Sequence, residues 1–149
     1  MTYNKKRHKQ LVVYSQYLKS QGKNIFIDNP EESSELSKYN VGVEEQVFWT
    51  HRENFIIIMK NFLDNILDFD EFETAFSFLY DEVTKEVNMF IIDLKYIDKF
   101  QPSRRSYRFA DVIGSIYRQF EEVEDEYCTE QEVKNYVKEY YLKSQKFGE

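Results

Sequence analysis

The chain is poor in the residues that let small domains fold or react by chemistry rather than by packing. Among 149 residues there are one cysteine, two prolines, four glycines and two histidines. A lone cysteine, Cys128, excludes an internal disulfide and any multi-cysteine zinc site, as expected in a reducing compartment. So little glycine and proline disfavours turn-rich β architectures and suits long helices. The longest apolar run, Phe55 to Met59, falls far short of the roughly 20 residues needed to span a bilayer. No signal-peptide apolar region precedes a small-residue cleavage site. A soluble protein is expected.

The usual constellations of catalysis are also missing. His8 and His51 are distant in sequence, and neither sits in an E-x-x-H pair of the kind that binds di-iron centres. Asp64, Asp68 and Asp70 suggest a calcium loop, but the glycine that an EF-hand needs at its sixth position is lacking. There is no G-x-S-x-G elbow and no phosphate-cradling glycine loop. Cys128 lies among acids, which raise a thiol pKa and disfavour thiolate chemistry. The reading is a non-enzyme with no metal and no cofactor.

What the chain does have is apolar bulk and charge. Apolar residues make up 42% and aromatics 17%, well above a disordered composition. One domain with an extra segment fits the length. The net charge of −7 is uneven: residues 1–23 hold six basic side chains and no acid, leaving fourteen basic and twenty-seven acidic residues beyond. An acidic domain of this sort repels nucleic acid and attracts basic partners. The abundance of Phe, Tyr, Ile, Lys and Asn implies AT-rich codons, as in a low-GC bacterium or an organelle genome.

Periodicity supplies the architecture. Residues 4–21 read as a basic amphipathic helix, stopped at Gly22. It could dock on its own domain, on an anionic membrane or on RNA, with the first preferred. Residues 23–42, with the turn signal Asp28-Asn29-Pro30, read as a connector in which Glu31 to Ser37 either begin a short helix or stay a loop. Helical spacing resumes at Val43, with a turn over 43–51 and a helix over 52–66. Asp68 and Glu71 have capping-box spacing. They open a helix carrying Phe69, Phe72, Phe76, Leu79/Tyr80 and Val83, which runs to about Tyr96 with a break possible near Asn88.

Phe100-Gln101-Pro102-Ser103 ends that helix, and Ser103 caps the next. This next helix carries Phe109, Val112/Ile113, Ile116/Tyr117, Phe120 and Val123 on one side. Arg104, Arg105 and Arg108 at its start oppose the helix dipole, which hints at a salt bridge to an acidic helix or at an anion site. Thr129-x-x-Glu132 is a second capping box. It opens a last helix with Val133, Tyr136/Val137 and Tyr140/Tyr141 inward, Lys143 and Lys146 toward its end, and Gly148 as its stop. The expected fold is all-α: an antiparallel four-helix bundle over 43–149, preceded by the basic helix and connector of 1–42.

The densest charge is Glu121, Glu122, Glu124, Asp125 and Glu126, at the junction of the last two helices. Closely spaced anions on a convex edge can match the phosphate-binding cleft of a basic protein. Tyr117, Phe120 and Tyr127 are the aromatics near enough to anchor such a contact.

Two segments, F-L-D-N-I-L-D-F-D-E-F-E-T-A-F (Phe62 to Phe76) and F-E-E-V-E-D-E-Y (Phe120 to Tyr127), give the chain its likeness to a known group. Together with the helix spacing over residues 52–147, they resemble the colicin D immunity-like family, the bacterial self-protective colicin-like immunity proteins. Uncharacterised reading frames of algal plastids look similar. The resemblance implies a four-helix protein that inactivates a tRNA-cleaving toxin, its acidic surface imitating RNA. It also implies that Glu121, Glu122, Glu124, Asp125 and Glu126 contact that basic partner. The compartment would then be the cytoplasm or the plastid stroma. The alternative is a helical assembly module of an organelle complex, docked through the basic N-terminal helix.

Overall fold

The computed structural model describes residues 2–147, with side chains given up to residue 145. Gly148, the expected final stop, and the side chain of Lys146 lie outside the described residues. Those residues form eight α-helices and no strand: α1 (Lys5–Ser20), α2 (Ile25–Asp28), α3 (Pro30–Thr50), α4 (Arg52–Leu63), α5 (Phe69–Phe90), α6 (Leu94–Lys99), α7 (Arg104–Glu124) and α8 (Glu130–Phe147).

Most boundaries are written in side-chain caps. Asn4, Asn24, Asn29, Asp93 and Ser103 each accept a backbone N–H one turn into α1, α2, α3, α6 and α7, satisfying donors that a helix start leaves unpaired. Both expected capping boxes form. Asp68 accepts from Glu71 N and returns its own N–H to the Glu71 carboxylate. Thr129 and Glu132 do the same for α8. After α1, Gly22 takes φ +72°, the left-handed conformation that glycine adopts without steric cost.

Residues 30–42 are helical rather than connecting. Pro30 stands in the first turn of α3, where its missing N–H costs nothing and its fixed φ suits the helix. Asn29 and Pro30 are therefore a start signal, and the expected division between residues 42 and 43 falls inside α3. The chain from Pro30 to Leu63 is two helices broken at His51, which caps α3 and restarts α4 without a side-chain cap bond. The helix opened by Asp68 likewise ends at Phe90. Asp93 then caps the short α6, so that helix stops before Tyr96.

The main core draws on α3, α4, α5, α7 and α8, and its centre is aromatic. Phe62 and Phe72 stack with centroids 4.1 Å apart and planes within 8°. Phe72, Phe76 and Phe120 pack edge to face or tilted at 5.5–5.6 Å, and Phe55 joins Phe76 to Phe109. Such pairs add about 0.5–1.5 kcal/mol to the area they bury.

A second, smaller core holds α1 against α3 and α6 through Leu11, Val12, Leu36, Tyr39 and Ile97. The basic helix is thus docked on its own chain. Arg7 donates through Nε and Nη2 to Glu35 at 2.9–3.1 Å and also reaches Glu32 at 3.3 Å, and Lys9 pairs with Asp98 at 2.6 Å. Gly42 permits close packing next to this core, since a Cβ there would stand 3.2 Å from the Phe100 ring.

His8 is fully buried in that seam, between Tyr39 and Phe100. Its Nδ1 shares a hydrogen bond with the Tyr3 hydroxyl at 2.8 Å. Nε2 and Asn40 Oδ1 are both buried without a full hydrogen bond, yet Asn40 is near enough to favour the protonated ring. Burial outweighs that effect and lowers the His8 pKa. The Tyr3 hydroxyl is pushed up to about 12 by burial and by Tyr39, so it stays protonated.

Two outcomes are expected. Phe72→Ala removes the ring shared by α4, α5 and α7 contacts and lowers unfolding free energy by about 3–5 kcal/mol, measurable by urea denaturation. For His8, a folded pKa below the unfolded value near 6.5 means that its contribution is present above that pH and is lost as pH falls below it. Compared by thermal melts at pH 7 and 5.5, the wild type loses stability relative to His8→Phe. An unchanged difference between the two proteins at both pH values would contradict this assignment.

Candidate functional site

The junction of α7 and α8 is built by a specific turn. Asp125 ends α7 and donates to Glu121 O, and Glu126 donates to Val123 O. The amides of Tyr127 and Cys128 both return to Glu122 O, at 2.8 and 3.2 Å. Closing the turn this way puts Glu126 at φ +64°, a conformation usually taken by Gly or Asn.

The α4–α5 junction has the same construction. Asn65 sits at φ +61°, and the amides of Ile66 and Leu67 return to Asn61 O at 2.9 and 3.1 Å. Asn65 corresponds to Glu126, Ile66 to Tyr127, and Asp68 to Thr129. The two turns lie at the same end of the molecule. Lys134 of α8 donates to Asn65 Oδ1 at 2.6 Å and lies over the Phe62 ring.

All five acids of the run are exposed, and among the described residues none of them forms an ion pair. Phe120, one residue earlier, is buried against Phe69, Phe72 and Phe76. It is a core residue and fixes where the last turn of α7 points. Tyr117 is engaged as well, stacked on Tyr80 at 3.9 Å and donating to Asp81 at 3.3 Å. Tyr127 is the free aromatic, 85% exposed, and its counterpart Ile66 is 65% exposed.

The structure adds acids that the linear run does not contain. The start of α5 faces the end of α7, so that burial, Asp70 and Glu124 together raise the Glu73 pKa. Asp70 and Glu71 are exposed beside it. Asp64 belongs to the same end but is paired with Lys60 at 2.6 Å. The shared turn geometry could have signalled this convergence, because D-N-I-L-D-x-x-E and D-E-Y-C-T-x-x-E have matching registers. Cys128, one residue from the turn, has its thiol pKa raised by burial, Glu132 and Glu122.

Helix α7 carries its charges against its own dipole at both ends. Arg104, Arg105 and Arg108 stand in its first turns, and Glu121, Glu122 and Glu124 in its last. Each such placement costs about 0.3–1 kcal/mol. The expected salt bridge does not form for Arg104 or Arg105 among the described residues. The last turn of α7 is therefore not acidic for the benefit of the helix.

A second cleft, of about 250 Å³, lies between α3, α5 and α7, lined by Glu44, Glu45, Tyr80, Tyr107, Asp111 and Arg118 among others. Burial raises the pKa of Glu44 and Glu45, and Glu44 raises that of Glu45 further. Among the described residues, no group of three or more His, Cys, Asp and Glu side chains could hold a metal ion. No helix among them is long and apolar enough to cross a membrane.

No family model, curated protein or solved structure matches the chain.

Glu126 gives this site a stability test. Glu126→Gly removes the side chain that crowds the left-handed turn and is expected to raise unfolding free energy by about 1 kcal/mol, read by urea denaturation. A destabilisation of that size would show that the carboxylate is held by the fold rather than merely displayed by it.

Proposed function

We propose that the chain is a non-enzymatic binding protein of the colicin immunity type, which blocks a basic, tRNA-cleaving toxin with an RNA-like acidic surface. One observation carries the reading. Five exposed acids with no ion pair among the described residues, Glu121, Glu122, Glu124, Asp125 and Glu126, sit at the wrong end of a helix and on a left-handed turn, next to an exposed aromatic. Spacing of this kind offers a basic cleft a row of anions in place of phosphates, with Tyr127 as a central anchor. Within this reading α3–α4, α5, α7 and α8 make the four-helix unit, and α1 is the additional helix that closes one side.

A second reading has one observation in its favour. The outer face of α1 exposes Val13 and Tyr17, at 51% and 60%, above a basic first turn. A helical assembly module of an organelle complex would dock through that face and leave the acidic end free.

The two readings separate in a pull-down from the native compartment, analysed by mass spectrometry at low and moderate salt. The immunity reading expects a basic ribonuclease-like protein, released as salt rises. A variant with all five acids reversed to Lys should bind it at least about tenfold more weakly while keeping its helical circular dichroism. A partner that binds the reversed variant undiminished and is lost with Tyr17→Asp would overturn the immunity reading in favour of assembly.

A further inference from the structure

The second end of the molecule carries the opposite sign, although Glu32, Glu35 and Asp98 pair with part of that charge. Helices α5 and α7 span its length, roughly 30 Å at 1.5 Å per residue. Where α7 begins, the fold gathers Lys5, Lys6 and Lys9 of α1, Lys95 and Lys99 of α6, and Arg104 and Arg105 of α7. The Asp98 carboxylate takes Lys9, and its carbonyl takes Lys5. Lys6, Lys95, Lys99, Arg104 and Arg105 form no ion pair among the described residues. Sequence distance hides this cluster, because α6 and the start of α7 lie about ninety residues beyond α1.

This basic end also holds a broad concavity. A solvent-facing groove of about 920 Å³ runs between α1 and α6. Val13, Tyr14, Tyr17 and Leu94 form its apolar floor, and Lys5, Lys6, Lys9, Gln10 and Asp98 its rim, with Lys6 the rim lysine that Asp98 does not engage. The side chains of Lys6, Gln10, Val13 and Tyr17 follow one another along the outer face of α1. Nothing among the described residues covers them.

We infer that the occupant of this groove is the acidic end of a second copy of the same chain. That end presents what the groove lacks: Tyr127 and Ile66 exposed at the tips of the twin turns. Tyr127 stands beside acids that are unpaired among the described residues, and Ile66 beside Asp64 and Asn65, which Lys60 and Lys134 engage. An aromatic anchor set in a charged rim of opposite sign matches an apolar floor with a lysine border. Contacts of like ends would oppose charges of one sign, so the contact is heterologous, tip to groove. The inference does not rest on an immunity role. If both hold, a basic partner and a second copy compete for one acidic end.

Two variants test it. Lys6→Glu with Val13→Asp disables the groove, and Glu126→Lys with Tyr127→Ala disables the tip. All four positions are exposed, and thermal melts verify that each variant folds. In sedimentation velocity, the wild-type mass should rise with concentration at low salt and return to the monomer above about 0.15 M. Each variant alone should stay monomeric. Mixed in equal amounts, the intact tip of one and the intact groove of the other should restore a 1:1 pair. The inference is overturned if the wild type stays monomeric at low salt, if either variant self-associates like wild type, or if the mixture remains monomeric. None of those outcomes bears on whether the acidic end binds a basic partner.

Discussion

The stack of Phe62 on Phe72, continued through Phe76 to Phe120 and, by way of Phe55, to Phe109, is the constraint on which the other features depend. It joins α4, α5 and α7 through rings that are fully or almost fully buried. Phe120 belongs to this stack and stands immediately before Glu121. Locking Phe120 sets the rotation of the last turn of α7, and so which way the acids face. Phe62 plays the same part before the α4–α5 turn. The twin turns lie side by side because their preceding phenylalanines are packed into one cluster.

Burial also explains how α7 tolerates charges set against its dipole. The adverse placements cost about 0.3–1 kcal/mol each, and screening by solvent keeps them near the low end. Phe109, Ile113, Ile116 and Phe120 are buried on the same helix. Each contributes about 1.5–3 kcal/mol by leaving water. The apolar face decides that α7 is a helix, and the ends are released to carry whatever charge the surface requires. The result is a molecule with one acidic and one basic end, joined by an aromatic interior.

Much of this is legible in the sequence. Period and caps are local signals, so the inward faces of α5, α7 and α8 and both capping boxes follow from spacing alone. Asn29-Pro30 reads equally as a turn or as a helix start, and only docking of the following helix against α1 and α7 decides it. The boundary between residues 51 and 52 follows the spacing, whereas the end of α5 at Phe90 and the restart at Asp93 fall a few residues from the expected break near Asn88. The acidic run stands out because it is contiguous. Glu73 and Asp70 join it by tertiary proximity, and the basic end escapes notice because α1, α6 and α7 each supply only part of it. Tyr117, Phe120 and Tyr127 are equivalent as letters. Only burial and stacking separate the two engaged rings from the exposed one.

The most direct test of the central claim, that charge is segregated between the two ends, is a residue-resolved NMR relaxation map with charged paramagnetic co-solutes. A cationic probe should relax amide protons most strongly over residues 64–71 and 121–130, while an anionic probe should act most strongly over 5–9 and 95–108. Equal enhancement by both probes at the two ends would contradict the account, whatever partner the protein is later found to bind.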